Sequence, residues 1–98
     1  MRLQVSYRPA ARRELTRAYD CYENEKEGLG DEFVEEIEAT INRILDFPFS
    51  YVEVHRGVHR AILVRFPYSL FYRIEPKRIR IISVFHNHRN PDIWRRRI

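Results

Sequence analysis

Ninety-eight residues, 44% hydrophobic and 13% aromatic, suit one small domain with a modest core and exclude a disordered chain despite 33% charged side chains. The net charge of +4 is unevenly spread: residues 1–50 hold seven Lys or Arg against eleven Asp or Glu (−4), and residues 51–98 hold eleven against three (+8). A chain divided this way turns a cationic half toward something anionic. Only Lys26 and Lys77 among the basic residues are lysine, so the planar, multidentate guanidinium dominates, which suits phosphate and carboxylate partners alike. No apolar stretch approaches membrane-spanning length, and Met1-Arg2-Leu3-Gln4 begins no signal peptide, so a cytoplasmic protein is expected. Cys21 is the only cysteine, which rules out an internal disulfide and CxxC chemistry.

Leu3, Val5 and Tyr7 alternate with Gln4 and Ser6, predicting a short first strand. Pro9 suits the first turn of a helix, and Ala11, Leu15, Ala18, Tyr19 and Tyr22 recur at helical spacing through about residue 26. Gly28-Leu29-Gly30 breaks the chain, and Asp31 stands where an N-cap or first-turn acid helps a second helix. Phe33, Ile37, Ile41, Ile44 and Leu45 form its stripe, which Pro48 ends. So short a break predicts an antiparallel helical hairpin. The acidic run Asp31, Glu32, Glu35, Glu36 and Glu38 alternates with the second stripe and reads as its solvated face.

Three strand-like segments follow from Gly57 to Pro91. With Phe66-Pro67-Tyr68 at the centre of one hairpin and Pro76-Lys77 at the turn of the next, period two sorts the side chains onto two faces. Ile62, Val64, Leu70, Tyr72, Ile74, Ile79, Ile81 and Phe85 make an apolar floor for the helices. His59, Ala61, Leu63, Arg65, Phe71, Arg73, Arg80, Ile82, Val84 and His86 take the other side, with Arg73 opposite Arg80. Like charges across strands are unfavourable, and Leu63, Phe71, Ile82 and Val84 are too apolar to leave in water. This face is therefore the expected binding surface, for a protein segment or for nucleic acid, rather than a merely solvated basic sheet. Asn90-Pro91 predicts a short helical turn that Ile93 and Trp94 anchor. Arg89 and Arg95-Arg96-Arg97 belong to a basic tail from about residue 90, which either widens the cationic footprint or only solubilises the end.

His86-x-His88 lacks a third ligand at clear spacing, so neither a metal nor another cofactor is expected. His55 and His59 flank a glycine turn and read as surface residues. Cys21 reads as a small helix-packing filler.

The chain resembles the RelE/ParE toxin superfamily of bacterial toxin–antitoxin modules along essentially its whole length. The stretches that carry the resemblance are YRPAARREL, GDEFVEEIEATINRIL, GVHRAILVRFPYSLFYRIE and RIRIISVFHNHR. It implies a single α+β domain over residues 1–98, in β-α-α-β-β-β order, with the helical hairpin on one face of a small antiparallel sheet. It also implies a growth poison held by a cognate antitoxin. Two mechanisms share this fold, namely ribosome-dependent mRNA cleavage in RelE-like members and DNA gyrase inhibition in ParE-like members. Cleavage needs an acid or base and cations for the developing charge. Arg65, Arg73 and Arg80 are the candidate cations and His86 the candidate acid or base, because histidine ionises near neutrality. RelE-like nucleases commonly carry a tyrosine near the C-terminus, whereas here the last is Tyr72, on the expected core side. The ending FHNHRNP is closer to ParE-like endings, so a gyrase inhibitor is expected ahead of a nuclease or an antitoxin-binding relative without toxicity. The expected target- or antitoxin-binding residues are Leu63, Arg65, Phe71, Arg73, Arg80, Ile82, Val84, His86, Arg89 and Trp94.

Overall fold

The computed structural model describes residues 3–96; Met1, Arg2 and Ile98, and Arg97 of the basic tail, lie outside the described residues. Strand β1 (Gln4–Tyr7) leads into α1 (Pro9–Glu25) and α2 (Leu29–Asp46). Strands β2 (Glu53–His55), β3 (Val58–Ile62), β4 (Tyr68–Ile74) and β5 (Arg78–His86) follow, then a one-turn helix α3 (Asp92–Arg95). The fold is α+β, as expected, with the helical hairpin on one face of the sheet. The sheet is larger and mixed: five strands in the order β1-β5-β4-β3-β2, with β1 parallel to β5 and the other pairs antiparallel. Among the described residues no helix is long and apolar enough to cross a membrane.

The helices pair where their apolar stripes meet, burying Ala11 and Ala18 of α1 against Phe33, Ile37 and Ile44 of α2. Burying each large side chain of that kind is worth about 1.5–3 kcal/mol. The turn between them is capped in a way the spacing of acids does not reveal. Asp31 lies in the first turn of α2, but it is Glu23 of α1 that accepts from the Gly28 N–H at 3.0 Å and the Gly30 N–H at 2.8 Å. Gly28 has φ +87°, and a Cβ on Gly30 would stand 2.8 Å from the Tyr19 carbonyl oxygen. One glycine sets the turn and the other lets the helices approach.

Two local events decide which side chains face the helices. The β3–β4 hairpin is not centred on Pro67: its pairing ends at Ile62 opposite Ser69, an odd slip from the expected register. The odd slip turns β3 over. Ala61 and Leu63 are therefore buried under the helices, while Ile62 and Val64 are 58% and 87% exposed. Strand β5 carries a bulge: Tyr72 faces Ile81 but Phe71 faces Ser83, leaving Ile82 as the extra residue. Beyond the bulge the alternation inverts, so Val84 joins the core under the helices and Phe85 goes to the opposite face. Glu14 of α1 satisfies the bulge, its Oε1 accepting from Val84 N–H at 3.1 Å and from Ser83 Oγ–H at 2.9 Å.

Candidate functional site

The sheet face away from the helices combines a cationic end and an apolar end. At the cationic end Arg73 lies directly opposite Arg80, as expected. Their repulsion is moderated within the chain: Arg80 Nη1 donates to Ser6 Oγ at 3.1 Å, and the Glu75 carboxyl, held below its ordinary value first by Arg78, is also lowered by Arg80 and Arg73. At the apolar end Val58, Phe71, Ile82 and Phe85 pack with Trp94. These residues are not bare. Asn90 Oδ1 accepts from Asp92 N–H at 3.0 Å and closes the entry to α3, which lays Trp94 on Phe71 with ring centroids 4.1 Å apart and planes 23° apart. Trp94 is 2% exposed, so the tail covers the apolar side chains that the sequence leaves without a cover.

Between α3 and the sheet lies a cavity of about 250 Å³, lined by Val54, Arg60, Phe71, Phe85, Asn87, Arg89, Pro91, Trp94 and Arg95. Arg60 is fixed there by two bonds, Nε to Ser69 Oγ at 3.0 Å and Nη2 to Asn87 Oδ1 at 3.2 Å. The Arg89 guanidinium stands over Phe85 at 5.2 Å and that of Arg95 over Trp94 at 5.5 Å. The Trp94 indole N–H is buried without an acceptor among the described residues.

The expected site residues do not form one surface. Phe71, Arg73, Arg80 and Ile82 share the outer face with Trp94, and Arg89 reaches its edge. Leu63 and Val84, expected there, are 4% and 1% exposed in the core beneath the helices, for the reasons of register and bulge given above. His86 is also turned to the helix side. It stacks edge-on against Tyr68 at 5.1 Å and accepts at Nδ1 from His88 N–H at 3.2 Å. With Glu14, Arg17, Ala18, Cys21, Val84 and Arg89 these two rings line a second cleft of about 230 Å³. Arg65 sits in the β3–β4 loop, where Nη2 bonds Glu32 Oε1 at 2.8 Å, and its backbone N–H reaches Glu36.

Tyr72 is fully buried, donates to the Pro48 carbonyl at 2.8 Å and has its phenol pushed up by burial, which removes it from acid–base work. Tyr68 is the tyrosine beside His86. The bulge is what sets Tyr68 opposite His86; in the register expected from the sequence, with Arg73 opposite Arg80, Tyr68 faces Phe85, so no signal in the sequence marks it as a site residue. His59 is a further correction: it is buried, stacks on Tyr72 at 5.4 Å and bonds the Tyr51 carbonyl at 2.8 Å through Nδ1. Cys21 is exposed rather than packed. Among the described residues no group of three His, Cys, Asp or Glu side chains gathers to hold a metal ion.

A family model described as the ParE toxin of the type II toxin–antitoxin system, parDE, matches residues 5–91. No curated protein matches the sequence significantly. Among solved structures, one described as the chromosomal ParDE TA system from P. aeruginosa is similar, with a TM-score of 0.74 and 19% sequence identity. The similarity covers 86% of this chain and 95% of that one.

Proposed function

Because the chain belongs to the ParE toxin family of type II toxin–antitoxin systems, we propose that it arrests growth by binding DNA gyrase and that a cognate antitoxin neutralises it. The observation that carries this reading is the separation of the groups an RNA-cleaving site would need. Arg73 and Arg80 lie on the outer face, His86 lies on the helix side of the same sheet, and Arg65 is tied to Glu32 in a loop. Acid–base help and charge stabilisation must converge on one phosphate to cleave RNA. Inhibition by contact needs no such convergence.

Expression of the chain alone is expected to produce a DNA-damage response with intact transcripts. His86→Ala should then lower toxicity only in proportion to lost contact, a few kcal/mol at most for one interface residue. Ribosome-dependent mRNA cuts that vanish in His86→Ala would move the function to the nuclease. In the same reading the antitoxin contributes a segment that is disordered alone and folds on the toxin, its carboxylates meeting Arg73 and Arg80. Replacing both arginines by alanine is expected to weaken the complex, and unchanged affinity at moderate salt would take the antitoxin off this side.

A further inference from the structure

We infer that the cavity between α3 and the outer sheet face is a carboxylate-binding pocket that takes an acidic side chain of a partner polypeptide. This goes beyond the choice of target, since it holds whichever protein supplies the acid. Three guanidinium groups, those of Arg60, Arg89 and Arg95, line the cavity, and no Asp or Glu does. Arg95 has a partner in Asp92, but at 3.6 Å and with both side chains about half exposed, which screens the attraction heavily. Arg60 and Arg89 make no ion pair among the described residues.

Arg60 is the recognition element. Ser69 and Asn87 hold its guanidinium through Nε and Nη2, and Asn87 Oδ1 also accepts from Ser69 Oγ–H at 2.6 Å, so the three form a closed set. A guanidinium held in plane by two bonds has little left to lose on binding. Its remaining N–H groups, on Nη1 and Nη2, match the fork of a carboxylate. The Trp94 ring forms one wall, while its indole N–H is closed off from the cavity and takes no part in recognition. A pocket that gathers three guanidinium groups and no acid lacks an acceptor of negative charge.

Size and lining select the source of that charge. About 250 Å³ admits one side chain, and the aromatic walls of Phe71, Phe85 and Trp94 suit the methylene stem of a glutamate. A nucleic acid backbone is met instead by open, polar, positively charged grooves.

Trp94 is the chain's single tryptophan, so its emission reports the pocket directly in the full-length protein. The chain is titrated with the capped tripeptide acetyl-Leu-Glu-Leu-amide, its Gln analogue, inorganic phosphate and a short single-stranded oligonucleotide. Saturable change with the Glu peptide and none with the Gln peptide is expected. The double variant Arg89→Gln/Arg95→Gln, both at exposed positions, should lose about tenfold or more in affinity. Arg60→Gln should lose more, and the double variant carries the test if Arg60→Gln does not fold. Equal response to the Glu and Gln peptides, unchanged binding by the double variant, or no response to the Glu peptide would overturn the assignment. A response to phosphate or oligonucleotide alone would overturn it too. Gyrase inhibition and mRNA cleavage are scored in cells, so neither result there bears on this titration.

Discussion

Single carboxylates hold two of the places where the backbone departs from regularity, the bulge in β5 and the turn between the helices. Glu14 supplies the acceptor that the bulged strand β5 needs at Val84, a buried N–H that no ladder partner can serve. Glu14→Ala is expected to lower unfolding free energy by about 1–3 kcal/mol in urea titrations, because it strands that donor. Glu14→Gln should recover most of the loss, since an amide oxygen still accepts. Glu23 does the same for the interhelical turn, and its carboxyl is held below the ordinary 4.5, first by the Gly28 N–H and then by the N–H groups of Gly30 and Asp31. A carboxyl whose folded pKa is depressed contributes stability that is present above its unfolded value and lost as pH falls through the folded one. The melting temperature should therefore fall on acidification from about pH 4.5 downward. Glu23→Gln should flatten part of that fall, and identical acid profiles in the two proteins would remove Glu23 from the account.

At the scale of elements, long periodic segments declared themselves and short irregular ones did not. The stripes of α1 and α2 are each carried by several turns of the same spacing, so no single residue decides them. The face of β3 depends on one hairpin register, and the irregular run from Leu63 to Pro67 shifts it by an odd number. The face of β5 changes midway, because an extra residue at Ile82 costs the strand its parity and no local signal marks it. That is why Leu70, Tyr72, Ile79, Ile81, Phe71, Arg73 and Arg80 read correctly from alternation, while Leu63, Val84 and His86 did not. It also divides the candidate site: its arginine pair was legible, and its histidine was assigned to the wrong side. Gly30 offers a test of the helix pair, since alanine there must displace the Tyr19 backbone. Gly30→Ala is expected to cost about 1–3 kcal/mol in thermal or chemical unfolding. Trp94→Ala should cost about 3–5 kcal/mol and raise binding of a hydrophobic dye, by uncovering Phe71, Ile82 and Phe85.

Across the whole molecule the sheet has a core on each side, one beneath the helical hairpin and a smaller one beneath the C-terminal turn. The positive half of the sequence builds four of the five strands and the one-turn helix α3, whereas the negative half supplies β1 and the two long helices. Apolar surface still remains exposed at Phe47, Phe49 and Val52 beside the edge strand β2, a place where copies can adhere. Phe47→Ser with Phe49→Ser is expected to raise the concentration at which light scattering first appears, with little change in melting temperature.

The order of the strands also sets when this protein can be completed during synthesis. Strand β5 lies between β1 and β4, so residues near the start of the chain find their neighbours only when residues 78–86 have been made. Until then the helical hairpin has no finished floor, and the pairings that complete it join distant parts of the sequence, which is the slow kind of closure. A nascent chain stopped short of Arg78 thus lacks the strand that joins β1 to β4, and with it the outer-face residues Arg80 and Ile82. The folded surface is therefore completed late in synthesis, within the span of a single strand.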